Sequence, residues 1–143
     1  MTGVDVAKLE EIINECLKEE LRQMDELLNR TNGELEEYFQ LKNTLAAMKD
    51  EIAVGFKTQY NIGGNIFMQA KTNPTDKILV NVGAGIFLEL SLEEAKYFAE
   101  QKINILTKNS DFIRKQTVIK RAQIKMALMI IGNEEKLHLE SVD

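Results

Sequence analysis

The chain has no tryptophan, one proline, one cysteine and one histidine in 143 residues. A lone cysteine, Cys16, excludes an internal disulfide. His138 stands by itself in a polar tail, so no Cys/His spacing suits zinc and no set of residues reads as a nucleophile–base–acid triad. With Pro74 as the only proline, most of the chain is free of obligatory helix breaks. No apolar run approaches the roughly 18 residues needed to cross a bilayer, and no Arg-rich or apolar leader follows Met1, so no secretory signal and no membrane contact are expected. Gly83-Ala84-Gly85 is followed by no Lys-Ser pair and opens onto a strand pattern, which makes it a turn and not a phosphate loop. Enzymatic activity, a metal and a cofactor are therefore not expected.

What is present is a long-helix composition in which Ala, Glu, Lys and Leu are frequent. The net charge of −5 disfavours general nucleic-acid binding. The charge is also uneven. Residues 1–55 carry 13 acidic and 6 basic side chains, whereas residues 92–137 carry 6 acidic and 9 basic ones. If both stretches are helices lying side by side, the asymmetry favours their pairing. Arg114, Lys115, Lys120, Arg121 and Lys125 then serve that pairing and not nucleic acid, since no aromatic residue interleaves with them.

The periodicity divides one expected domain, 1–143, into four parts. Over 4–54, apolar residues recur in steps of four and three from Leu17 through Leu21, Met24, Leu28, Leu35 and Tyr38, with Thr31 in the remaining slot. This is the seam of a coiled coil. A second consecutive step of three, from Tyr38 to Leu41, marks a stammer before Leu45, Met48 and Ile52. Asn32-Gly33 falls inside this helix, which is read as continuous with a kink at this point, a break at 29–33 being the alternative. Cys16, beside Leu17, reads as a small buried hydrophobe.

Over 56–90 the period falls to two. Ile66 and Met68 follow Gly63-Gly64, Val80 and Val82 precede Gly83, and Ile86 and Leu88 follow Gly85. These are four short strands in two hairpins. Phe67, Leu79 and Phe87 make the opposite faces apolar as well, so the hairpins are expected to meet another chain. Over 91–132 a capping box, Ser91 with Glu94, starts a second helix. Its seam runs through Ala99, Ile103, Leu106, Ser110, Ile113, Thr117, Lys120, Ile124, Ala127 and Ile131. Gly132-Asn133 offers a stop signal or a fray point, with a tail over 133–143. A connection centred near residue 73 would place Ile52 near Ala95 and Leu17 near Met129, in an antiparallel pair. The expected class is α+β, mainly α: a long antiparallel two-helix coiled coil joined by two small β-hairpins.

At this point the pattern resembles a known family. Ile78-Leu79-Val80-Asn81-Val82-Gly83-Ala84-Gly85-Ile86-Phe87-Leu88-Glu89-Leu90, followed by Ser91-Leu92-Glu93-Glu94-Ala95, is similar to the strand–Gly-x-Gly–strand–helix signature of the α-class prefoldin subunits. The resemblance implies a non-enzymatic chaperone or cochaperone subunit in a hetero-oligomer with other prefoldin or prefoldin-like subunits, a URI-type complex among them. It also implies client proteins, support of protein-complex assembly and of transcriptional regulation, and a cytoplasmic, nuclear or centrosomal location. Delivery of unfolded actin and tubulin to the cytosolic chaperonin, or a role as a transcriptional or centrosomal adaptor, is the alternative.

Two candidate surfaces follow. Leu9, Ile12, Ile13, Leu17, Met126, Met129, Ile130 and Ile131 exceed what one two-helix seam can bury, so they form a candidate client- or partner-binding tip. Methionine suits an adaptable contact surface of this kind. Ile66, Met68, Val80, Val82, Ile86 and Leu88 form the candidate oligomerisation surface of the β platform.

Overall fold

The computed structural model describes the backbone of residues 3–140, with side-chain surroundings for residues 5–52 and 54–133. Helix α1 (Gly3–Glu11) leads through a π-turn (Ile12–Leu17) into α2 (Lys18–Val54). Strands β1 (Lys57–Gly63) and β2 (Ile66–Lys71) form one antiparallel hairpin, and β3 (Lys77–Gly83) and β4 (Ile86–Ser91) form a second. Helix α3 (Leu92–Glu140) follows directly. By its contacts the chain resolves into two units. One holds residues 35–105 with both hairpins, and the other holds residues 1–34 and 106–143.

In the hairpin-bearing unit the core is small and sharply placed. Leu45, Val80 and Ala95 are buried together, with Leu41, Ile78, Val82, Leu90, Leu92 and Phe98 packed around them. One face of the β3–β4 hairpin thus inserts between α2 and α3. Tyr38 and Phe98 meet edge to face with ring centres 6.0 Å apart, a geometry that matches aromatic quadrupoles. The capping box is formed as expected: the Ser91 N–H donates to Glu94 Oε2 at 2.9 Å, and the Glu94 N–H donates to Ser91 Oγ at 3.2 Å. Helix α2 ends where Gly55 takes φ +79°, and a Cβ there would lie 2.5 Å from the Thr72 carbonyl oxygen. Only glycine fits this approach. The Thr75 N–H then caps the Ile52 carbonyl at 3.1 Å.

The facing residues differ from the midpoint expectation. Leu45, not Ile52, shares the buried cluster with Ala95, a displacement of more than one helical turn. Val80 of the hairpin shares that cluster. Lys42 Nζ and Glu100 Oε1 lie 3.4 Å apart across the helices.

The second unit is an antiparallel pair made from the first part of the chain and the latter half of α3. Ile13 and Ile131 are its buried apolar members, and Thr31, Ser110 and Thr117 its buried polar ones. The helix does not break at 29–33. The Thr31 hydroxyl donates to the Leu27 carbonyl, and the Ser110 hydroxyl donates to Asn32 Oδ1 at 2.8 Å. Every buried side-chain nitrogen and oxygen among the described residues has a partner. Lys120 Nζ reaches Glu20 Oε2 at 2.5 Å, and Arg121 reaches Asp25 at 3.4 Å. These pairs carry the expected sign, basic α3 on acidic α2. Their exposed partners limit each to a few tenths of a kcal/mol, up to about 1.

Three local features depart from the sequence reading. First, the chain makes a π-turn at Ile12–Leu17, closed by the Lys18 N–H to the Ile13 carbonyl. The seam takes two consecutive steps of four there, Ile13 to Leu17 to Leu21, and the wider turn absorbs the surplus residue. Just beyond it, Arg22 grips Glu19 and Glu26, and Gln23 donates to Glu19 at 3.1 Å. The Arg22 hydrogen bonds, then that of Gln23, hold the Glu19 carboxyl down near 2. Its stabilising contribution is present above the ordinary carboxylate pKa and lost as pH falls towards 2. Second, α3 passes through Gly132-Asn133 and continues to Glu140. A glycine costs a helix only about 1 kcal/mol, no proline follows it, and buried Ile131 anchors that turn. Third, Cys16 is exposed. It lies one position off the seam residue Leu17, about 100° around the helix, and so misses the buried stripe. The His138 side chain lies outside the described residues.

Candidate interaction surfaces

The two hairpins are copies of one motif. Asn61-Ile62-Gly63-Gly64-Asn65-Ile66-Phe67-Met68 aligns with Asn81-Val82-Gly83-Ala84-Gly85-Ile86-Phe87-Leu88. Both ladders shift register at the same place, between Asn61 and Gly63 and between Asn81 and Gly83. In each, the Asn side chain accepts the N–H of the glycine two residues on, at 2.9 and 3.0 Å. In each, three successive residues hold positive φ: Gly63, Gly64 and Asn65, then Gly83, Ala84 and Gly85. The sequence reading found both turns and missed the repeat, which the Asn-x-Gly-x-x-Ile-Phe spacing reveals. Ala84 at φ 52° carries the strain of a left-handed alanine, on the order of 1 kcal/mol. Ala84→Gly is therefore expected to stabilise the chain by about 0.5–1 kcal/mol, measured by chemical unfolding.

The repeated motif has two different fates. In β3–β4, Val80 is 5% exposed and Val82 packs against the same cluster. These two of the six expected platform residues serve the chain's own core. This corrects their assignment to an interface, because the α2–α3 base already occupies that face. In β1–β2, Tyr60 pairs directly with Met68, and Ile66 alternates onto the same face as Met68. Among the described residues nothing covers this face: Tyr60 is 65% exposed, Ile66 60% and Met68 56%. At the turn end of β3–β4, Ile86 and Leu88 are exposed too, as are Leu79 and Phe87 on the opposite face. An apolar surface of this extent, bordered by unpaired strand edges, is the form of an interface.

The terminal end of the other unit divides likewise. Ile13 and Ile131 are buried and belong to its core, while Leu9 and Leu17 are half-buried. Ile12, Met126, Met129 and Ile130 are exposed, and Leu128 joins them. Of the eight tip residues read from the sequence, these four exposed ones form the accessible surface.

In the hairpin-bearing unit an open cleft of about 610 Å³ is lined by Lys49, Pro74, Thr75, Asp76, Ser91, Leu92 and Glu93. No group of three or more metal-ligating side chains occurs among the described residues. No helix there is long and apolar enough to cross a membrane.

The arrangement of long helix, paired hairpins and long helix has a match among protein families: the prefoldin subunit model fits residues 17–135. The chain belongs to the prefoldin family. Among prefoldin-family relatives it is 31% identical to human protein UXT over 127 residues, covering 89% of this chain and 81% of the relative. It is 30% identical to the UXT homologue of Dictyostelium discoideum over 131 residues, covering 92% and 80%. Mouse prefoldin subunit 3 is 29% identical over 96 residues, covering 66% of this chain and 49% of that one. In structure the chain is similar to a filamentous prefoldin from Methanocaldococcus jannaschii, with a TM-score of 0.68 and 20% identity, covering 83% of this chain and 98% of the other. That likeness establishes the prefoldin fold. Tyr38-Phe39-Gln40-Leu41-Lys42-Asn43, Asn65-Ile66-Phe67 and Phe87 to Ala95 are the stretches that resemble UXT. The UXT-like character of this prefoldin chain thus rests on both of its helices and both of its hairpins.

Proposed function

We propose that this chain is a UXT-type cochaperone subunit. It assembles with other prefoldin or prefoldin-like subunits through its hairpins and holds client or partner proteins at the terminal end of its helix pair. The observation that carries this reading is the apolar face of the β1–β2 hairpin, open at Tyr60, Ile66 and Met68 although Val80, the counterpart of Tyr60 in β3–β4, is buried in the chain's own core. A face built on the same motif, with the same register and no cover of its own, fits a subunit whose core is completed by a neighbour. The relatives add the sense of the assembly, since several are named prefoldin subunits and one solved neighbour is a filamentous prefoldin. Support of protein-complex assembly and of transcription, in cytoplasm, nucleus or at the centrosome, belongs to this reading, without catalysis and without direct contact to nucleic acid.

The test is affinity purification of the tagged chain from cells, with identification of what co-purifies. Stoichiometric prefoldin-like subunits, a URI-type subunit among them, are the expected result. Recovery of conventional prefoldin and chaperonin alone would replace the UXT-type assignment. Recovery of the chain as a stable monomer at micromolar concentration would overturn assembly through the hairpins.

A further inference from the structure

Helix α3 carries a second heptad stripe. Phe112, Gln116, Ile119, Gln123, Met126 and Ile130 follow one another in steps of four and three. Each stands one residue before a seam member (Ile113, Thr117, Lys120, Ile124, Ala127 and Ile131), which places the stripe about 100° around the helix from the seam. The stripe contains no charge, and its apolar members are open: Phe112 is 63% exposed, Ile119 51%, Met126 64% and Ile130 46%. A solvated helix face would carry charge there. Uncharged positions at coiled-coil spacing make a seam without its helix.

The charges on its two sides identify the missing helix. On the outer side, along α3, stand Lys108 and Lys115. On the inner side stand Glu20, Leu27, Arg30 and Glu34 of α2, each also one residue before a seam member; Lys120 of the same chain already holds Glu20, which leaves Glu34 as the open carboxylate. The Ser110–Asn32 hydrogen bond sets these levels and brings Glu34 abreast of Lys108. We propose that the stripe is the contact for α3 of a second copy of this chain, running parallel. Parallel two-fold pairing brings Lys108 of each copy against Glu34 of the other. It also stacks Gln116 on Gln116 and Gln123 on Gln123, the like-on-like amide layers that fix register and strand number in parallel dimers at some cost in stability. Antiparallel pairing would set lysines against lysines and glutamates against glutamates. The contact is separate from the hairpin surfaces and weak by construction, a stripe about 27 Å long with two polar layers.

Site-directed disulfide trapping on the full chain tests it, in a Cys16→Ser background because Cys16 is exposed. Ile119→Cys and Gln123→Cys are each expected to form linked dimers on mild oxidation, at least fivefold above Asn29→Cys on the outer face of α2. Phe112→Cys mixed with Met126→Cys should link to each other no better than chance. Glu34→Lys should lower trapping at residue 119 at least threefold, and Glu34→Lys with Lys108→Glu should restore it. Adding Met68→Asp in the β1–β2 hairpin should leave trapping at residue 119 unchanged. Preferential linking of 112 to 126, yields no higher than Asn29→Cys, failure of the charge swap to restore, or loss with Met68→Asp would each overturn the proposal.

Discussion

Val80→Asp is expected to lower the thermal midpoint of this chain by about 10 °C, whereas Met68→Asp leaves it within about 2 °C. Both are apolar, central in a strand and on the corresponding face of the repeated hairpin, where Val80 matches Tyr60 in the motif and Met68, the cross-strand partner of Tyr60, matches Leu88. They differ in what lies above them. Val80 is buried among Leu45, Ala95 and the apolar side chains packed around them, which offer a carboxylate no hydrogen bond. A buried unpaired charge of this kind costs about 3–5 kcal/mol, and in a chain of this size each kcal/mol moves the midpoint by about 3 °C. Met68 is more than half exposed, so an aspartate there stays in water. Its cost appears elsewhere. If the β1–β2 face is covered by another subunit, Met68→Asp places a charge inside that interface and should remove the chain from its assembly while its helical circular dichroism is unchanged. Scanning calorimetry paired with size-exclusion chromatography of the assembled complex separates the two effects. Equal destabilisation by both variants would mean that both hairpins serve the chain's own core. Normal assembly of Met68→Asp would remove β1–β2 from the interface.

That contrast shows where the sequence was legible and where it was not. Seam residues are periodic, and periodicity is local. Thr31, Leu45, Ile52, Ala99, Ser110, Thr117 and Ile131 were all read as seam positions, and all are buried. The capping box and both hairpin turns were legible for the same reason, since each is a short pattern with one satisfying geometry. The fate of a hairpin face is not local. Val80 and Met68 obey the same alternation, and only the packing of α2 and α3 against one hairpin separates them. Register between the helices was misjudged for a related cause: it is a property of tertiary packing, here the shared cluster of Leu45, Val80 and Ala95, which no count along the chain contains. The π-turn was written in the double step of four before Leu21, a signal that went unread. Gly132 was given a breaker's weight that one glycine does not carry when the preceding isoleucine is buried.

Replacing Met126, Met129 and Ile130 together by serine is expected to cut capture of non-native protein by about tenfold, with assembly through the hairpins and the thermal midpoint unchanged. The set is narrower than the sequence alone would choose. Ile131 is 7% exposed, and truncating it would open a cavity worth about 2–4 kcal/mol, so its loss would mimic a binding defect by loosening the helix pair. Met126, Met129 and Ile130 stand largely in water, and serine there removes apolar contact without unpacking the core. Tenfold corresponds to about 1.4 kcal/mol, the transfer value of less than one fully buried side chain. Three partly engaged side chains supply that readily. Methionine matters for how it binds: an unbranched thioether adapts to many surfaces, so Met126→Leu with Met129→Leu should keep affinity for one fixed partner yet narrow the range of clients. The measurement is suppression of aggregation of two unrelated unfolded proteins by the assembled complex. Loss with serine and narrowing with leucine would mark a chaperone grip. Full suppression by the serine variant would remove the terminal end from client binding, and unchanged breadth with leucine would make the methionines incidental.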